Sequence, residues 1–170
     1  MRVLTIGGIP ISVESSDLIS QTYAPIGGGK ALRLMNGGLV MQRNWRKLKT
    51  TISVSDARFL PAIHALDLDV PHVIQCLTRR QIAGDSNTIT LPTARRADID
   101  PLGYAVMPSG FMQRTASVLA GDTLTLVAVP GALRYTATYV PQLVALVTDL
   151  NEHGDVRSAR MGWELTAEEI

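Results

Sequence analysis

The chain has 170 residues, 46% of them hydrophobic, and a formal net charge of +1. That composition supports a buried core and excludes a largely disordered chain, while near-neutral charge gives no global attraction to nucleic acid or to a membrane surface. The lone Cys76 excludes an internal disulfide and any multi-cysteine metal site, and no apolar run approaches the roughly 20 residues of a spanning helix.

Residues 2–6 and 9–14 read as short strands hinged by Gly7-Gly8. The run before that hinge is too short for a secretory leader, so synthesis in the cytosol is expected. Residues 16–22 are polar and ambiguous in pattern. Residues 24–29, Ala-Pro-Ile-Gly-Gly-Gly, are a loop by composition.

Residues 31–55 carry the strongest pattern. Leu32 and Leu34 flank Arg33, and Leu48, Ile52 and Val54 alternate with polar residues, the period of two of half-buried strands. Asn36-Gly37-Gly38 between these arms predicts a hairpin with a type I′ turn. The solvent side of this hairpin is basic, through Arg33, Arg43, Arg46, Lys47 and Lys49, and Trp45 is embedded among them.

Further on, residues 59–66 predict a short helix or turn, with Pro61 tolerated in its first turn. Residues 72–80 predict one strand, with Ile74 and Cys76 opposite Val73, Gln75 and Leu77. From Gly84 the strands shorten: 87–91, 104–107, 113–119 and 122–129, punctuated by Pro108-Ser109-Gly110 and Ala120-Gly121. This pattern predicts a small antiparallel β module. Residues 134–140 predict a strand stopped by Pro141. Residues 143–150 fit a strand apolar on both faces or a short helix. Residues 151–158 read as a charged loop, 161–165 as a last strand and 166–170 as an acidic tail. The fold class that follows is mainly β.

Charge is segregated along this order. Between Lys30 and Arg58 seven basic residues face one acid, Asp56; from Asp149 onward six acids face Arg157 and Arg160. Such asymmetry favours head-to-tail contact between copies or contact with a charged partner.

Catalytic and metal chemistry find little footing. Gly27-Gly28-Gly29-Lys30 lacks both the earlier glycine and the following Ser or Thr of a phosphate loop, and no helix pattern opens after it. His64, Asp67, Asp69 and His72 lie close together but match no metal-ligand spacing. Cys76 sits inside a strand pattern, where cysteine acts as a small hydrophobe. No Gly-x-Ser-x-Gly elbow occurs. The expectation is a protein that is not an enzyme and needs no cofactor. The basic hairpin with Trp45 leaves a nucleic-acid-binding β module as an alternative of a different class.

The runs Leu32-Arg33-Leu34-Met35-Asn36-Gly37 and 44–53, Asn-Trp-Arg-Lys-Leu-Lys-Thr-Thr-Ile-Ser, resemble small tail proteins of long-tailed phages and prophages. So do Leu66-Asp67-Leu68-Asp69, the strand ending at Cys76, Tyr139-Val140-Pro141 and the closing Gly162-Trp163-Glu164-Leu165-Thr166-Ala167-Glu168-Glu169-Ile170. The resemblance to distal tail proteins implies a split β-barrel of the tail-tube type, formed by residues 1–83 with 134–170, and an inserted β module at 84–133. It implies a hexameric ring in the virion tail tip, made in the host cytoplasm without membrane insertion. Such a ring connects the tail tube protein to the baseplate hub around a channel used by the tape measure protein and DNA. Tail tube, terminator or tail-completion proteins are alternatives in the same setting. The residues expected to carry assembly are Arg33, Arg43, Trp45, Arg46, Lys47 and Lys49 on the hairpin, with Trp163, Glu164, Glu168 and Glu169 near the acidic end.

Overall fold

A computed structural model describes residues 3–16, 18–155 and 159–170. Arg2 of the first expected strand and Arg157 of the expected charged loop lie outside them. The chain is 57% strand and 4% helix, in several antiparallel sheets, none of them closed into a barrel. It divides into two units, Val3–Ile74 with Val144–Ile170, and Gln75–Leu143.

The strands of the first unit begin with β1 (Thr5–Ile6), β2 (Ile9–Pro10), β3 (Ser20–Ile26), β4 (Gly29–Arg33), β5 (Leu39–Arg43), β6 (Lys47–Ala57) and β7 (His72–Gln75). Those of the second are β8 (Arg80–Gly84), β9 (Thr88–Thr90), β10 (Leu102–Val106), β11 (Met112–Thr115), β12 (Ser117–Ala120), β13 (Thr123–Leu126) and β14 (Arg134–Tyr139). The chain then adds β15 (Gln142–Asp155) and β16 (Arg160–Glu169).

In the first unit the sheet order is β2-β1-β7-β15-β16-β6-β3, and β4-β5 form a separate two-stranded ribbon. One face of the large sheet carries the core. Ile52 and Val54 of β6 lie against Trp163, Leu165 and Ala167 of β16, all 0–2% exposed. Gln21 and Thr50 are also buried on it, and their side chains satisfy each other at 3.1 Å. The opposite face is hydroxyl-rich, with Thr51 and Thr166 in contact at 3.3 Å.

The second unit packs a four-stranded sheet, β11-β10-β14-β8, with a three-stranded one, β12-β13-β9. Leu124, Leu126, Ala105, Ala137 and Ile89 fill the space between them. A Cβ at Gly103 would lie 2.5 Å from Leu126 Cδ2, so a side chain there would displace Leu126 from its place in this core. β8 and β14 belong here because β14 pairs with both β10 and β8. This unit is therefore wider than residues 84–133.

Several local expectations change. Residues 24–29 are not a loop, because β3 runs to Ile26 and β4 starts at Gly29. The acidic segment 166–170 is strand, not tail, because Thr166 and Ala167 pair with Thr51 and Thr50. Residues 72–80 break into β7 and β8, and 113–119 into β11 and β12, where the chain leaves one sheet for the other. Residues 143–150 belong to a strand that continues through Asp155. Residues 59–66 hold only a 3-10 turn, Ala62–Ala65, after Pro61.

Candidate assembly surface

The predicted hairpin exists, and it is longer than the alternation suggested. Its first arm is β3 plus β4 and its second is β5 plus β6. Ser20 pairs with Ser53 and Ile26 with Lys47; beyond these, Gly29 pairs with Arg43 and Arg33 with Leu39. Fourteen residues from Ser20 to Arg33 give an arm of about 45 Å at ~3.3 Å per residue.

The register slips by one between the two halves. Asn44, Trp45 and Arg46 lie opposite only Gly27 and Gly28, and Asn44 N–H donates to Gly28 O at 2.8 Å. This is a β-bulge, and it explains the glycines. A Cβ on Gly28 would collide with the Trp45 indole, one on Gly27 would lie 2.6 Å from Trp45 O, and one on Gly29 would strike the Gln42 carbonyl. The triplet is a seat for the opposite strand, where composition alone suggests a flexible loop. Gly27 and Gly28 face Trp45 across the fold-back, and Gly29 faces Gln42.

The turn also differs from expectation. Leu34 N–H donates to Gly38 O at 2.8 Å, and Gly37 N–H to Leu34 O at 2.9 Å. Gly37 has φ +81°, while Asn36 is not left-handed, so a type I′ turn is excluded. Asn36 instead accepts a bond from Gly38 N–H at 3.0 Å through its side chain.

Every residue of β4 and β5 is exposed. Ala31, Met41 and Leu39 share one face with Arg33 and Arg43; Leu32 and Val40 share the other with Lys30 and Gln42. The expectation that one apolar face packs locally holds for β6, where Ile52 and Val54 are buried, and fails for β4 and β5, where both faces meet solvent. Leu34 is about half exposed and Met35 fully exposed at the tip. Trp45 is half exposed at the base, beside Arg43 and Arg46. Among the described residues no carboxylate pairs with Lys30, Arg33, Arg43 or Arg46.

The other expected residues separate into three groups. Lys47 and Lys49 meet the C-terminal strand of their own chain. Lys47 Nζ donates to Ile170 O at 2.7 Å, Glu169 accepts from Leu48 N–H at 2.9 Å, and Lys49 and Glu168 approach to 3.6 Å. Trp163 is fully buried and donates its indole N–H to Ser15 O at 2.8 Å, so it is a core residue and presents no surface. Glu164 is exposed on the hydroxyl-rich face, opposite Ser53 and Asn151.

His72 and Asp67 close a local turn through His72 Nε2 and Asp67 O at 2.7 Å, and Cys76 is buried. Among the described residues no cluster of His, Cys, Asp and Glu is placed to hold a metal, and no helix is long and apolar enough to cross a membrane. Comparison with protein-family models and with curated proteins gave no match.

Proposed function

We propose that this chain is a structural, non-enzymatic assembly protein, a ring component of the distal tail of a long-tailed phage. The observation that carries the reading is the β4–β5 ribbon. It displays Leu32, Leu34, Met35, Leu39, Val40 and Met41 to solvent beside four cations, Lys30, Arg33, Arg43 and Arg46, that pair with no carboxylate among the described residues. An isolated two-stranded ribbon is marginal in water, and exposed apolar strand surface invites pairing with another chain. Assembly provides the cover. The resemblance of residues 32–37, 44–53 and 162–170 to tail proteins supplies the setting.

In this reading, neighbouring subunits complete the split barrel that the seven-stranded sheet leaves open, and a heterologous contact closes into a ring, hexameric by resemblance. The ring would join the tail tube to the baseplate hub around a channel for tape measure protein and DNA. Native mass measurement and negative-stain imaging of the purified protein test this. Rings, and the protein's presence at the tail tip of purified particles, are the expected results. A protein monomeric at all concentrations and absent from particles overturns it.

Trp45, half exposed between Arg43 and Arg46, is the observation that favours the second reading, single-stranded nucleic-acid binding. Steep salt dependence of DNA affinity in a monomeric protein would support that reading.

A further inference from the structure

The two charged ends of the first unit lie at opposite ends of one sheet. The ladders Glu168↔Lys49 and Ile26↔Lys47 place the C-terminus of β16 beside the base of the basic ribbon. The ladders Met161↔Ala57, Ser20↔Ser53 and His153↔Gly162 place the far end of the β15–β16 hairpin at the other extreme. Lys47, Lys49, Glu168 and Glu169 are occupied within the chain. The other exposed acids of β15 and β16 are Asp149, Glu152, Asp155 and Glu164, of which Glu152, Asp155 and Glu164 lie toward the end away from the ribbon.

That end also holds a recess of about 230 Å³ rimmed by Leu18, Ser20, Ser53, Ser55, His153 and Glu164. Leu18 stands there at φ +53° with its side chain 69% exposed, an uncommon conformation for a bulky residue. Gly162 has no side chain where His153 crosses it, and the imidazole occupies the space a Cβ there would fill. The recess thus offers one carboxylate, three hydroxyls, one imidazole and one displayed leucine.

We infer that this recess receives the ribbon tip of a second copy of the chain, with Arg33 pairing with Glu164 and Leu34 and Met35 covering Leu18. The chemistry is complementary. An arginine at the tip meets a carboxylate and hydroxyl acceptors, the partners its planar donors suit. Apolar tip residues meet the one exposed leucine of the rim. The contact is head-to-tail, so each copy uses both ends, and a ring or filament follows. The inference rests on the assembly reading above and names the surface that reading leaves unspecified.

Charge exchange tests it. Both Arg33 and Glu164 are exposed, so Arg33→Glu and Glu164→Arg leave the fold intact, as circular dichroism would verify. Sedimentation velocity of the full chain across a concentration series is the measurement. Each single variant should dissociate with a constant raised about a hundredfold, because like charges then face each other. The double variant, and an equimolar mixture of the two singles, should reassemble. Wild-type assembly by Glu164→Arg alone overturns the inference and leaves the ring reading standing. A wild-type protein that stays monomeric overturns both. Monomer that binds single-stranded DNA or anionic vesicles through Arg33 does so too, and identifies the other partner.

Discussion

Lys49 and Glu168 are directly opposite each other in the β6–β16 ladder, with Nζ and Oε1 3.6 Å apart. The most conspicuous charge asymmetry of the sequence, a basic hairpin and an acidic end, is partly neutralised within the one chain. The basic residues must therefore be divided into those that hold the sheet and those that project from it.

Charge reversal should separate these two sets. Lys49→Glu places like charges across a ladder, and Lys47→Glu removes the bond to Ile170 O; each should cost about 0.5–1 kcal/mol, since both sites are partly solvated. Arg43→Glu and Arg46→Glu should leave stability within about 0.5 kcal/mol of wild type and lower assembly. Urea midpoints beside sedimentation profiles would check this. Equal loss of stability in both sets would contradict the division.

Trp163 anchors the first unit. Its indole is fully buried and its N–H is bonded to Ser15 O at 2.8 Å. Trp163→Phe leaves that carbonyl without its donor and should cost about 1–3 kcal/mol; Trp163→Ala adds a cavity and should cost about 3–5 kcal/mol. Denaturant unfolding followed by circular dichroism measures both. A cost below about 1 kcal/mol for Trp163→Ala would mean that this aromatic belongs to an interface after all.

What the sequence made legible followed from period and punctuation. Alternation in residues 48–54 identified β6, and Gly/Pro spacing after Gly84 identified the short strands of the second unit. The Asn-Gly pair located the turn, although its type was set by the three-residue loop that the register imposes. Three things were hidden. The strand character of 24–29 was masked by Pro25 and the glycines, whose conformational freedom reads as loop, while cross-strand packing against Trp45 decides otherwise. The acidic ending read as tail because Glu168 and Glu169 are charged, yet Lys49 and the Leu48 N–H satisfy them in a ladder. The recess at Leu18 and Glu164 draws on four strands and three distant stretches of chain, and no local pattern reports such a convergence.

Gly29→Ala should loosen the ribbon without unfolding the unit. The added Cβ meets the Gln42 carbonyl, a backbone atom, so the β4–β5 ladder must open there. The ribbon is exposed throughout and carries little of the global stability, so the urea midpoint should move by less than about 1 kcal/mol in equivalent free energy. Hydrogen exchange should show lost protection for amides of β4 and β5 and unchanged protection in β6 and β16. Loss of protection throughout the seven-stranded sheet would show instead that the ribbon is integral to the core.

The second unit has its own electrostatic anchor. The Arg96 guanidinium, 4% exposed, binds Asp98 at 2.6 and 3.0 Å and donates to Cys76 O at 3.0 Å. The hydrogen bond from Arg96 holds the Asp98 carboxyl below its ordinary range, against a smaller desolvation that raises it. A carboxylate whose folded pKa is depressed binds protons less readily than the unfolded chain. The stability it contributes is therefore complete above the unfolded value, about 4, and is lost as pH falls through the lower folded value. Asp98 is more than half exposed, so solvent screens the pair and Asp98→Asn should cost only about 1–3 kcal/mol at pH 7. Thermal melting from pH 7 to pH 2 should show the wild-type advantage over Asp98→Asn narrowing below about pH 4 and vanishing at the acid end. An advantage that persists unchanged at pH 2 would show that Asp98 acts through its shape and not its charge.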